Sequence, residues 1–204
     1  MQRRTFLGVG LAGLGTLAMA KTGAAQFIPN PSKEKWAILY GTWYGTARDA
    51  STWISEGMGG IATIVDIRKL PDNFLANDHI IVGTSIQSNR GPKALDAYLT
   101  KNAAALKGKI RGLFVVCGNM GKMPGPDQEK AYVDNYLAKV CNVDPKNLPK
   151  RILGGRITRS LMPAAEHKMV VELYAKLGGP SGDFDNLSRV ECLKLGSEII
   201  AART

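Results

Sequence analysis

A doubly wound α/β fold, with five parallel strands and helices on both faces, is what this 204-residue sequence predicts. Short apolar runs alternate with segments of helical periodicity from residue 36 onward, the pattern of a parallel sheet covered on both sides. The runs Ile80-Ile81-Val82 and Leu113-Phe114-Val115-Val116 are continuous rather than alternating, as suits strands buried on both faces. Right-handed crossovers then favour a doubly wound sheet. In such sheets, ligands bind outside the carboxyl ends of the strands, where strand order reverses.

The first strand is Trp36–Gly41. A helix follows with Ala47, Ala50, Ile54 and Met58 at helical spacing, and Gly57-Met58-Gly59-Gly60 ends it. Ile61–Ile67 is the second strand and Asp78–Ser85 the third. Pro92 opens a second helix, whose buried face carries Leu95, Leu99, Ala103 and Leu106. Gly112–Gly118 is the fourth strand. Asp127–Val140 is a third helix, with Tyr132, Val133, Tyr136, Leu137 and Val140 inward. Arg151–Ile157 is the fifth strand. A helix from Pro163 to Leu177 is expected to turn Met169, Val170, Leu173 and Leu177 to the core, and Gly178-Gly179-Pro180 stops it. Ser188-Arg189-Val190-Glu191 reads as a capping box starting the last helix, with Leu195 and Ile199 on its buried face.

Three loops follow strands one, three and four: Thr42–Ala47, Thr84–Gly91 and Cys117–Lys122. With strand order 2-1-3-4-5 they converge on one crevice. The first suits a phosphate, because free N–H groups at a helix start point at one spot and the hydroxyls of Thr42 and Thr46 can join them. The second offers Thr84, Ser85 and the amide of Gln87. The third is small and polar around Gly118, Asn119 and Gly121, so backbone can approach a planar ring. Trp43 and Tyr44 offer a stacking surface or pack on the protein itself. Asp66, Glu166 and His167 are acid–base candidates by charge alone, and surface or structural roles are the expectation for them.

Composition narrows the function further. The formal charge is +10. Arg3-Arg4-Thr5-Phe6-Leu7, a weakly apolar stretch and the small residues Ala18-Met19-Ala20 or Gly23-Ala24-Ala25 read as an export signal over residues 1–25. The paired arginines resemble a bacterial twin-arginine signal, a route that carries folded proteins to the periplasm. An ordinary secretory signal or an uncleaved anchor is the alternative. Cleavage before Gln26 removes Arg3, Arg4 and Lys21, lowering the charge by three to +7. Residues 26–35 are a linker and 36–204 the folded domain. A basic surface favours anionic partners: a carboxylate-bearing small molecule, an acidic redox protein, or anionic lipid in peripheral membrane contact. Nucleic acid is a poor partner after export. Cys117, Cys141 and Cys192 show no ligand spacing with His79 or His167, so neither a metal site nor a disulfide framework is indicated. Buried thiols are expected, with one disulfide as the alternative.

Tyr40-Gly41-Thr42-x-x-Gly45-Thr46 resembles the phosphate loop of flavodoxins. His79–Ser85 with Ile86, then Leu95-Asp96-Ala97-Tyr98-Leu99, is closer to flavodoxin-like proteins similar to menaquinone-dependent protoporphyrinogen oxidase. So are Leu153-Gly154-Gly155-Arg156 and Lys176-Leu177-Gly178-Gly179-Pro180-Ser181. The resemblance covers residues 36–200. It implies a flavodoxin-like fold, its five strands in the order 2-1-3-4-5, that holds FMN by its phosphate at Thr42, Trp43, Tyr44, Gly45, Thr46 and Ala47. The ring would lie between Thr84, Ser85, Ile86 and Gln87 on one side and Cys117, Gly118, Asn119 and Gly121 on the other. The implied activity is an FMN-dependent oxidoreductase or electron-transfer protein. Its partner would be a redox protein, a quinone, or an anionic small molecule such as a tetrapyrrole. Two departures stand out: Ala47 where the family places a hydroxyl, and Ser88-Asn89 where the oxidase branch places an aromatic. The first favours an alternative, a flavodoxin-like binding protein that has lost its flavin.

Most flavodoxins are acidic and thereby disfavour the anionic reduced flavin. This basic chain is expected to favour it, so potentiometry of the FMN-loaded protein should give a higher midpoint potential than that of an acidic flavodoxin.

Overall fold

The structure is a computed structural model and describes residues 33–202. The export signal read over residues 1–25 lies outside the described residues, as does the linker up to residue 32. The first strand, β1 (Trp36–Gly41), is buried at all six positions. It pairs in parallel with β2 (Ala62–Asp66) on one side and β3 (His79–Ser85) on the other. Then β4 (Ile110–Cys117) pairs with β3, and β5 (Lys150–Gly154) with β4. The order is 2-1-3-4-5, as the resemblance implies. The pairs Gly41↔Thr84, Ser85↔Val116 and Cys117↔Gly154 bring the carboxyl ends of four strands level.

Helices cover both faces. On one face, α1 (Thr46–Gly57) packs Ala47, Ala50 and Ile54 over Ile38, Ile81 and Phe114. On the other, α2 (Lys93–Lys101) places Leu95 and Leu99 over Leu39, Val82 and Val115, and a short turn, Ala103–Leu106, adds Leu106. Beside α2 lies α3 (126–141), which adds Val133, Leu137, Ala138 and Cys141. Fully burying the valine and leucine side chains among these contributes about 1.5–3 kcal/mol each. The centre of α3, Glu129–Leu137, is π-helical. From it the Tyr132 hydroxyl donates to Asn89 Oδ1 at 2.8 Å, and the Tyr136 hydroxyl accepts the Gly91 N–H and donates to Asp96 Oδ1.

Two further helices follow, α4 (Ala164–Leu177) and α5 (Arg189–Ala201). Cys192, Leu195 and Ile199 of α5 share the core under α1. The two backbones nearly touch: a Cβ on Gly57 would lie 2.2 Å from the Leu193 carbonyl oxygen, and one on Gly196 2.2 Å from that of Ile54. All three cysteines are free and buried, as expected.

The structure differs from the sequence reading in three places. The strand read as Arg151–Ile157 stops at Gly154. Residues Arg156–Ile157 form β6, which pairs antiparallel with β7 (Phe184–Asp185) in a separate ribbon. The glycines explain the break, since a Cβ on Gly154 would lie 2.1 Å from the Asn186 carbonyl oxygen and one on Gly155 2.6 Å from the Gly118 nitrogen. Next, α4 does not turn Met169, Leu173 and Leu177 to the core; they are 55%, 45% and 60% exposed. Its inward stripe is Glu166, Val170 and Tyr174, because it lies over a cleft rather than a packed sheet face. Last, Ser188 Oγ accepts the Glu191 N–H, but the Glu191 carboxylate pairs with Arg151 Nη1 at 3.4 Å.

Gly196→Ala should destabilise the protein by about 2 kcal/mol or more, the cost of forcing a methyl into a closed backbone contact. Gly182→Ala, which meets nothing within 4 Å, should stay within about 0.5 kcal/mol. Chemical denaturation of the two variants beside the parent measures both.

Candidate functional site

A cleft of about 550 Å³ opens at the carboxyl edge of the sheet. That is the size range of small-molecule sites. Its walls come from the three loops after β1, β3 and β4, from Gly155–Ile157, and from α4. In the first loop, Gly45 caps α1 in the left-handed region at φ 90°, and its N–H donates to Thr42 Oγ1 at 3.0 Å. Thr42 thereby shapes the turn while its own O–H remains a donor. The amides of the first turn of α1 have no intrahelical acceptor, and Thr46 faces the cleft beside them.

The second loop is a tight turn in which Gln87 and Arg90 bond to each other through both backbone pairs, with Ser88 and Asn89 at positive φ. Ser85, at the end of β3, is 8% exposed and lines the cleft. Its Oγ is buried with no hydrogen-bond partner. Buried polar atoms are almost always bonded, so this orphan marks a place for a polar ligand atom. In the third loop, Asn119, Met120 and Gly121 all have positive φ. Non-glycine residues held there cost energy that surrounding structure must sustain. Asn119 Nδ2 donating to the Met123 carbonyl and Asn186 Nδ2 donating to that of Gly121 fix it.

The fourth wall is a segment inserted between β5 and α5. Buried Arg159 closes its base: Nη2 donates to the Pro180 carbonyl at 2.7 Å, Nη1 to that of Ser181, and the backbone N–H to Asp183 Oδ1. The Tyr174 ring stacks on Phe184 at 6.2 Å. At the other end of α4, Glu166 Oε2 accepts the Tyr44 hydroxyl and Oε1 accepts Gln87 Nε2 at 2.5 Å. One carboxylate thus joins the first loop, the second loop and the covering helix.

Electrostatics follow from these pairings. Burial, then the hydrogen bond to Glu166 and its charge, push the Tyr44 hydroxyl up to about 12. Arg156, in the cleft wall, reaches Asp49 at 2.7 Å and Asp185 at 2.8 Å. Burial raises the Asp49 carboxyl, but bonds from Arg156 and Arg48 outweigh it and hold the group below its usual value. Burial pushes the Cys117 thiol up.

Of the residues the sequence nominated, Trp43, Tyr44, Thr46, Ser85, Ile86, Gln87, Cys117, Gly118 and Asn119 line this cleft together. Thr42, Gly45 and Ala47 shape the start of α1 behind it, and Ala47 is wholly buried in the core. Thr84 is also wholly buried, its hydroxyl donating to the Ser85 carbonyl. Gly121 faces Pro180, not the cleft. Tyr132, Arg156, Met162, Glu166, Met169 and Tyr174 line the cleft but were not nominated as ligand contacts. The signal available for Glu166 was a carboxyl on an otherwise apolar stripe, i, i+4, i+8 with Val170 and Tyr174.

Five parallel strands in this order, with a cleft at their carboxyl edge, define a flavodoxin-type α/β domain. The family model for the flavodoxin domain matches residues 37–182, and the chain belongs to that family. A flavodoxin from the domain Archaea superposes with a TM-score of 0.52 at 15% identity, covering 83% of this chain and 99% of that one. The flavodiiron core of Flv1 from Synechocystis sp. PCC6803 superposes with a TM-score of 0.50 at 13% identity, covering 83% of this chain and 36% of that one. At these identities the likeness establishes the fold. No curated protein matches the chain significantly.

Tyr44 titrates higher in the fold than the ordinary tyrosine value of 10, so the stability it contributes is full below pH 10 and is lost as pH rises through about 12. In Glu166→Gln, where burial remains but the carboxylate is gone, its titration should fall between those values. Near-ultraviolet tyrosinate absorbance, compared with Tyr44→Phe to isolate the one ring, reads the shift.

Proposed function

We propose that this chain is an exported FMN-binding oxidoreductase or electron-transfer protein of the flavodoxin type. The observation that carries the reading is the orphaned Ser85 hydroxyl in a cleft bounded by the loops after β1, β3 and β4, beside an open helix start. The residues fit the cofactor. Thr42, Thr46 and the first-turn amides of α1 would hold its phosphate, an anion that such a helix start attracts. Ser85 and Gln87 would meet polar ring atoms, while Trp43 and Met120 offer apolar surface. When bound, FMN supplies one- and two-electron chemistry. The chain's own part is to orient the ring, exclude water with α4 and manage protons.

Protoporphyrinogen oxidation is the finer reading. In its favour are the motifs at 153–156 and 176–181, which border the inserted segment over the cleft, and a basic charge suited to a tetrapyrrole's carboxylates. An acidic redox protein as partner and peripheral membrane contact follow from the same charge, a quinone partner from the resemblance to the menaquinone-dependent branch, and a periplasmic location from the paired arginines at residues 3 and 4.

The test is the visible absorption spectrum of the purified mature chain, as expressed and again after FMN addition and desalting. Flavin bands should stay with the protein. Thr46→Ala should weaken FMN binding roughly tenfold or more in a fluorescence titration, the loss of one hydrogen bond to a charged group. A colourless protein that takes up no FMN would sink the reading in favour of a flavodoxin-like binding protein without flavin.

A further inference from the structure

Oxidising or reducing an organic molecule by two electrons moves protons as well, and the cleft contains few groups able to carry one. The titratable residues lining it are Tyr44, Cys117, Tyr132, Arg156, Glu166 and Tyr174. The three tyrosines and the cysteine are all raised above their ordinary values by burial first, so they stay protonated near neutrality. Arg156 is charged and held by two aspartates. Glu166 is the single carboxyl group in the described wall, and carboxyl groups serve as general acids and bases. Its two oxygens are oriented by donors from two different loops, the Tyr44 hydroxyl and Gln87 Nε2. Each oxygen keeps a further lone pair.

Resting on the flavin reading above, we propose that Glu166 gives and takes the proton that accompanies hydride transfer in this cleft, with Tyr44 and Gln87 as its positioning residues. Bound FMN would supply a hydride, with its electron pair, to atom X of an acceptor holding a polar double bond X=Y or its conjugated extension. The π pair of X=Y forms a new Y–H bond with the proton of Glu166, leaving the carboxylate. The acceptor would gain two electrons, with a hydrogen at X from the hydride and one at Y from Glu166, and the bound cofactor would give up the two. Oxidation of a donor runs the same steps in reverse. Glu166→Gln removes the exchangeable proton but keeps the latch, because the amide oxygen still accepts from Tyr44 and the Gln87 amide can turn to face the new amide.

The experiment uses the FMN-loaded chain, reduced anaerobically with dithionite and mixed with one of two oxidants. One is 2,6-dichlorophenolindophenol, which takes up electrons and protons; the other is ferricyanide, which takes an electron alone. Glu166→Gln should slow the indophenol reaction at least tenfold and abolish its solvent isotope effect. Ferricyanide oxidation should slow far less than the indophenol reaction, fluorescence titration of FMN in each variant reads whether the latch survives, and Glu166→Asp should restore part of the indophenol rate. Unchanged indophenol kinetics, or equal slowing with both oxidants, would overturn the proton role while leaving the flavin reading intact. A parent protein that binds no FMN would overturn both.

Discussion

Everything at the site depends on the in-register parallel pairing of β1 with β3 and of β3 with β4. One contact enforces the second pairing. Gly83 and Phe114 are register partners, and a Cβ on Gly83 would lie 1.9 Å from the Phe114 ring. The ring therefore occupies the space that the glycine leaves open. A slip of one residue would send each side chain to the opposite face and set Phe114 against a neighbour with bulk. Because this pairing holds, the ends of β1, β3 and β4 fall level, and three unrelated loop sequences share one wall.

The covering segment depends on the same edge. Where Gly154 and Gly155 let backbones approach Asn186 and Gly118, β5 leaves the sheet and the chain turns back over the strand ends before α5 resumes the doubly wound pattern. The detour is tied down at both ends, by Arg159 on the carbonyls of Pro180 and Ser181 and by Glu166 on Tyr44 and Gln87. The cover is anchored by polar groups and only lightly packed.

The sheet was legible in the sequence because burial on two faces leaves continuous apolar runs, and helices packed on a sheet leave regular stripes. All five helices follow from those rules, and the strand order from the resemblance to flavodoxins. The loops were legible in part: Ser85 and Gln87 sit where hydroxyl and amide chemistry suggested. Thr84 does not, since alternation along a strand turned its hydroxyl inward to the Ser85 carbonyl. The inward face of α4 misled the reading because Met169, Leu173 and Leu177 look like a core stripe whether the surface beneath is a packed sheet or an open cleft. Glu166 was discounted for the same reason. A carboxyl among apolar residues reads as a surface charge until the chain fold places two donors opposite it.

The thin packing of α4 has a thermodynamic consequence. Among its described side chains only Tyr174 is buried, so releasing the helix exposes little apolar surface and leaves both sheet cores intact. Its opening is a local event, far less costly than global unfolding. Any apolar guest that fills the cleft shields Met169 and Leu173 from water, and so raises the free energy of that opening by the same amount it gains from the closed form. Residence time in the cleft and amide exchange along residues 164–177 are then two readings of one equilibrium.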